Sequence, residues 1–231
     1  MAARRLDGAV IAFDLDGTLV DTAPDLVGTL NVILAEEGLA PLAMNHARDL
    51  IGHGARRLLE RGFLAAGEPL PAERMPGLFD RFIARYRAHI ADESRPFPGA
   101  AEALEALAGE GARLAVCTNK PTALSNALLE ALDLRRLFAA VVGPDAAPAA
   151  KPDPRHLEAA VAAAGGSTKR AIMVGDAATD AGAARAAGVP LILVSFGYTD
   201  TPARELSPDI LIDRFADLPA ACARLLGACP A

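Results

Sequence analysis

Apolar residues follow two rhythms along the chain. Residues 9–13 (AVIAF) form a short continuous apolar run, the pattern of a strand buried on both faces. From Pro24 to Glu37 the spacing changes: Leu26, Leu30, Ile33 and Leu34 share one helical face, and Gly38 suits the position just past the helix end. Two more helical stretches are predicted at about 55–64 and 76–90, and the breaker SRPFPG at 94–99 marks the exit from a helical subdomain. Beyond it helix and strand alternate. Helices are predicted at 100–108, 122–132, 154–164 and 181–187, and strands at 114–117, 138–142, 171–174, 191–194 and about 210–212. Such alternation builds βαβ units around a parallel sheet. The expected fold is α/β, a doubly wound parallel sheet (a Rossmann-like core) with an inserted helical subdomain. Residues 1–21 and 93–231 would form the core and residues 22–92 the insert. The Pro/Ala-rich stretch 143–154 reads as an ordered loop, and no internal repeat is found.

Composition narrows the function. A chain of 231 residues fits one large domain, or one domain with a smaller insert. A hydrophobic fraction of 52% and a mean hydropathy of +0.25 support a packed core rather than disorder. The net charge of −6, the lack of Trp and the 4% aromatic content argue against a nucleic-acid partner. A small anion remains possible, since one Lys or a helix N-terminus can oppose the overall field. Cys117, Cys222 and Cys229 lack CxxC or Cys/His spacing, so reduced thiols in a cytoplasmic protein are expected. Arg4 and Arg5 precede an apolar stretch that Asp7 and Asp14 interrupt too early for a secretory signal. No run reaches the roughly 18 apolar residues of a membrane span.

The candidate chemistry shares one location. Asp14 follows the first strand, Thr118 the second and Asp176 the fourth, while Lys151 lies in the loop after the third. In a parallel α/β sheet these positions fall at the carboxyl edge, where ligands bind. Asp14 and Asp16 leave the first strand two residues apart, with Gly17 and Thr18 next. Two carboxylates about 4 Å apart repel by about 4 kcal/mol at an effective dielectric near 20, and Asp176 and Asp180 arrive at the same edge. A divalent cation relieves that repulsion, and an all-oxygen donor set favours Mg²⁺ over zinc. The same ion would neutralise a phosphoryl group facing a carboxylate nucleophile. A DxD alone is as readily a solvated turn or a helix cap; Thr118, Lys151 and the second acid pair in register take most of the weight from that alternative.

Four ordered stretches, FDLDGTLVDT (13–22), CTNK (117–120), KPDP (151–154) and VGDAATD (174–180), resemble the motifs of the haloacid dehalogenase superfamily, and the match spans the whole chain. The resemblance implies Asp14 as the nucleophile that forms an aspartyl-phosphate, and Asp16 as general acid and then base. Thr118 and the amide of Asn119 would hold phosphate oxygens, and Lys151 would offset charge between phosphate and nucleophile. Mg²⁺ would be held by Asp14, the main-chain carbonyl of Asp16 and Asp176, with Asp180 binding it directly or through a neighbour. One departure is that Ala177 stands where family members often carry Ser, removing a side-chain hydrogen bond near the metal.

The helical insert is similar to a cap that closes over the site and selects the leaving group. With IGHGARRLLERGF (51–63) and FGY (196–198), the first motif most resembles phosphoglycolate phosphatases. That implies hydrolysis of 2-phosphoglycolate to glycolate and phosphate. Gly52, His53 and Gly54 would lie in the cap loop facing the phosphate, and Arg56 or Arg57 could meet a substrate carboxylate; Tyr198 is expected to be structural. Alternatives are a phosphatase of sugar phosphates such as N-acetylmuramate 6-phosphate, a pyrophosphatase or a phosphomutase of the same build. From another class, a phospho-accepting signalling receiver is disfavoured by the chain length and by the insert. The expected partner is a small phosphorylated metabolite, and the expected assembly a monomer or homodimer.

Overall fold

The computed structural model describes residues 5–44, 50–199 and 201–227. In chain order its strands are β1 (Val10–Phe13), β2 (Val20–Asp21), β3 (Arg95–Pro96), β4 (Arg113–Cys117), β5 (Ala140–Val142), β6 (Ala171–Gly175), β7 (Leu191–Val194) and β8 (Ile210–Ile212). The described helices are α1 (Ala23–Glu36), α2 (Ala55–Ala65), α3 (Met75–Ala88), α4 (Ala100–Gly109), α5 (Thr122–Ala131), α6 (Pro154–Ala163), α7 (Ala178–Ala187) and α8 (Leu218–Gly227).

Six strands form one sheet in the order β5-β4-β1-β6-β7-β8, every neighbouring pair parallel. All four residues of β1 are fully buried, because both faces of the sheet are covered. Ile11 and Phe13 point to the face packed by α4, α5 and α8 through Leu104, Leu128 and Leu218. Val10 and Ala12 point to the face packed by α6 and α7 through Leu157, Val161 and Ala184. From β1 the chain runs outward through β4 to β5, then returns to β6 on the other side of β1. The direction of winding reverses there, which opens a crevice beyond the carboxyl ends of these central strands.

The predicted sheet and helices are present, with informative shifts at their ends. Phe138 lies before β5 rather than in it, its ring edge-on to Phe13 at 6.3 Å. Helix α7 begins at Ala178, ahead of the predicted 181, because the Asp180 carboxylate accepts the main-chain N–H groups of Asp176 and Ala177, both at 3.1 Å. Helix α8 and the two-residue strands β2 and β3 are additions to the sequence-based expectation.

Helices α1 to α3 lie between β2 and β3 and share their own apolar cluster. The α1 stripe Leu26, Leu30, Ile33 and Leu34 meets Leu58, Leu59 and Phe63 of α2 and Phe82 and Tyr86 of α3. Gly38, at φ +79°, ends α1: its N–H donates to Ala35 at 3.0 Å and that of Leu39 to Leu34 at 2.9 Å. The core contributes Leu124 and Tyr198 to this cluster. Both passages between the layers run side by side, since β2 pairs antiparallel with β3, Val20 opposite Pro96. Buried Asp25 ties them together, accepting from Glu93 N–H at 3.1 Å, Ser94 N–H at 2.8 Å and Ser94 Oγ at 2.6 Å.

Candidate active site

Asp14 leaves β1 with its N–H still bonded to Val174 at 2.9 Å, so the backbone beneath the carboxylate is part of the sheet ladder. Its Oδ1 accepts the Leu15 N–H at 2.7 Å and faces Lys151 Nζ at 3.0 Å. Lys151 Nζ also donates to Asp180 Oδ1 at 2.6 Å. Asp176 is held by Thr18 Oγ1 and by the Tyr198 N–H, each at 2.7 Å. Ligand oxygens of Asp14, Asp176 and Asp180 lie within 4.8 Å of one another, all three residues buried. The Asp16 side chain turns away from that triad towards Lys120 Nζ, 3.0 and 3.2 Å from its two oxygens. Gly17 makes the tight passage possible. Its φ is +81°, and a Cβ there would stand 2.6 Å from an Asp176 oxygen and 2.8 Å from the Tyr198 ring.

The cluster is electrostatically strained in a way that defines its chemistry. Burial pushes the Asp14 carboxyl up to about 6; Lys151 opposes the shift, and Asp180 and Asp16 add to it. Burial, then Asp180 and Asp14, hold Asp176 well above the usual carboxylate range. Burial works against the charge on Lys151, but Asp14 and Asp180 outweigh it and its pKa ends above the usual lysine value. Four carboxylates, Asp14, Asp16, Asp176 and Asp180, face two ammonium groups, Lys120 and Lys151. Fully ionised, the set carries a surplus of two negative charges, which one divalent cation would balance.

The loop that presents Lys151 is pinned from both sides. The Asn119 carboxamide accepts the Lys151 N–H at 2.9 Å and donates to the Lys151 carbonyl at 3.1 Å. Buried His156 accepts the same N–H at its Nδ1, 3.1 Å away, so its Nε2 carries the proton and donates to the Val142 carbonyl at 3.1 Å. Thr118 is buried beside them, its Oγ1 accepting the Lys120 N–H at 3.3 Å.

Between this edge and the helical layer is a partly open cavity of about 30 Å³. Asp14, Asp16, Thr118, Asn119 and Lys120 line it from the core, and Gly52, Gly54 and Tyr86 from the helical side. His53, Arg56 and Arg57 lie instead along an adjoining open groove of about 490 Å³, shared with Lys151 and Thr179. The Arg56 guanidinium sits 4.6 Å above the Phe79 ring, and Arg57 pairs with Glu60 at 2.9 Å. Four contributors went unassigned in the sequence: Thr18, Tyr86, Lys120 and His156. Two of them had a signal, Thr18 inside FDLDGTLVDT and Lys120 inside CTNK, both at the carboxyl edge. Tyr198 holds the layers together: its hydroxyl accepts the Ala23 N–H at 3.1 Å and donates to Asp21, while its N–H fixes Asp176.

A doubly wound sheet with buried acids and lysines at its carboxyl edge defines a class, and comparison places the chain within it. The family model for haloacid dehalogenase-like hydrolases matches residues 11–194, and the chain belongs to that family. A phosphoglycolate phosphatase of Caulobacter vibrioides is 61% identical over 98% of this chain and 95% of its own length. That of Agrobacterium fabrum is 50% identical over 94% of this chain and 93% of its own. A crystal structure of a predicted phosphoglycolate phosphatase from Haemophilus somnus superimposes with a TM-score of 0.85 at 32% identity, covering 92% of this chain and 97% of that one. The chain is thus a hydrolase, and its relatives at 61% and 50% identity are named phosphoglycolate phosphatases.

Proposed function

We propose that this protein is a Mg²⁺-dependent phosphatase that converts 2-phosphoglycolate to glycolate and phosphate through an aspartyl-phosphate on Asp14. One observation carries the proposal. One oxygen of Asp14 is fixed by the Leu15 N–H and Lys151, in a cavity that also contains Asp16. Asp14 attacks phosphorus, forming the new O–P bond as the P–O bond to the leaving group breaks. Asp16 gives its proton to the departing oxygen, then takes one from water, whose oxygen displaces Asp14 and releases phosphate. Lys151 offsets charge between nucleophile and phosphoryl oxygens, while Thr118 and the Asn119 amide take phosphoryl oxygens.

The donor set fits a hard divalent cation, being three buried carboxylates with excess negative charge. Asp14, the Asp16 carbonyl and Asp176 would hold Mg²⁺. Asp180, already carrying the Lys151 ammonium and two N–H groups, would act mainly by orienting that lysine. Bound there, the ion would supply charge neutralisation and polarise the phosphoryl group.

Residues 22–92 would act as the cap. Motion of the helical layer away from the sheet edge would admit substrate, and its return would exclude water. Gly52 and Gly54 would close over the phosphate, with His53 and Arg56 at the groove through which the anion arrives. Reduced, buried Cys117 and Cys222 suit the cytoplasm, where we place the reaction. Among the described residues no helix is long and apolar enough to cross a membrane.

Phosphate release with and without Mg²⁺ tests the assignment, using 2-phosphoglycolate, N-acetylmuramate 6-phosphate and pyrophosphate. Fast Mg²⁺-dependent turnover of 2-phosphoglycolate is expected. Negligible turnover of it beside fast turnover of the sugar phosphate would overturn the substrate.

A further inference from the structure

Lys120 lines the cavity beside Asp16. Among the residues lining that cavity it is the one cation, because Arg56, Arg57 and His53 line the outer groove. Its Nζ sits 3.0 Å from Asp16, the acid that would meet the departing oxygen, and 2.8 Å from the Tyr86 hydroxyl on α3. Its third proton goes to the second Asp16 oxygen at 3.2 Å, the longest of the three bonds and the one an incoming carboxylate would displace. Tyr86 accepts from Lys120 and keeps its own O–H to donate, and burial pushes the phenol up to about 12, so it stays protonated at neutral pH. Two donors therefore face one small volume, beside walls of Leu26, Ile51, Leu58, Phe82 and Leu124.

We propose that Lys120, assisted by Tyr86, receives the carboxylate of the leaving group and makes the site selective for phosphate esters of short 2-hydroxy acids. The inference rests on the phosphoglycolate assignment and supplies its specificity determinant. In a 2-phosphooxy acid the carboxylate carbon lies two bonds beyond the ester oxygen. An ester oxygen at Asp16 therefore brings the carboxylate to the ammonium that touches Asp16. A polyhydroxylated sugar in the same place would bury hydroxyls against aliphatic walls without partners, which is costly. The carboxylate would span the two layers, meeting Lys120 from the sheet edge and Tyr86 from α3.

The test compares kcat/KM for 2-phosphoglycolate with that for ethyl phosphate, an ester of similar size without the carboxylate. The ratio of the two is measured in the wild type, Lys120→Met and Tyr86→Phe. In Lys120→Met the ratio is expected to fall about 100-fold, through loss of a buried charged hydrogen bond. In Tyr86→Phe, which keeps the ring and its packing, it is expected to fall about fivefold. Should Lys120→Met not fold, the Tyr86→Phe ratio decides. A ratio unchanged within about threefold, with both substrates depressed together, would mean that Lys120 acts only through Asp16 and would overturn the inference. A wild type that shows no preference for 2-phosphoglycolate over ethyl phosphate would overturn the phosphoglycolate assignment itself, so the two failures are separable.

Discussion

The carboxyl edge of the sheet and the helical face opposite it enclose the same cavity, yet they are built by opposite means. At the edge each ionisable side chain has protein partners. Asp180 takes Lys151 and two N–H groups, Asp176 takes Thr18 and Tyr198, and Asp14 takes Leu15 and Lys151. The helical face offers mostly aliphatic and aromatic surface, and among the described residues Tyr86 makes its one side-chain hydrogen bond to the ionised groups. Groups that must hold developing charge are fixed in advance, because reorganisation during reaction would raise the barrier. Groups that enclose a leaving group need shape, and can be carried on a layer that moves.

The comparison breaks most severely at Asp14. Asp14→Asn keeps the shape and the Leu15 hydrogen bond but removes the proposed nucleophile, so kcat should fall by about 10⁴-fold or more. Circular dichroism should be unchanged and the melting temperature equal or higher, since the charge removed is one that burial disfavours. Turnover at the wild-type rate would end the nucleophile assignment.

Next in size is the effect of pH on metal-free protein. The Asp14 pKa rises from 3.8 to about 6 on folding, and Asp176 shifts the same way. Between those values the folded chain holds protons that the unfolded chain has lost, so stability falls as pH rises through that window. The loss from Asp14 alone is roughly 3 kcal/mol. Mg²⁺ competes with those protons, so the melting shift it causes should be clearly larger at about pH 7.5 than at about pH 5. An equal shift at both would remove Asp14 from the ion's donors. No comparable dependence is expected of the helical layer, whose cluster is apolar.

The same contrast explains what the sequence disclosed. Strands buried on both faces and motifs at their ends are local patterns, so β1, β4, β6 and the residues following them were legible. Asn119 was assigned through its main-chain amide, whereas its carboxamide clamps the Lys151 backbone, a contact between loops 32 positions apart. Tyr86 stands four positions after Phe82 and eight after Leu78, so its spacing reads as core stripe. Only the packing of α3 over the sheet edge brings its hydroxyl to Lys120. Helix α8 buries Leu218, Ala221, Cys222 and Leu226, a helical face in a segment too short and Ala-rich to stand out.

The smallest effect is expected at the boundary between the two regions. Arg56 is the second residue of α2, near the cavity-lining Gly54, but its guanidinium lies over Phe79 in the open groove. A charge so placed attracts an arriving anion without touching it in the closed site, and such attraction acts on association and is screened by salt. Arg56→Ala should lower kcat/KM for 2-phosphoglycolate by about threefold at low ionic strength and by less at about 0.3 M salt. Loss of stacking on Phe79 should cost about 1 kcal/mol at most. A hundredfold loss that persists in salt would instead place Arg56 on the bound substrate. The helical face would then hold a charged contact of its own, and the division of labour between the two walls would fail at that residue.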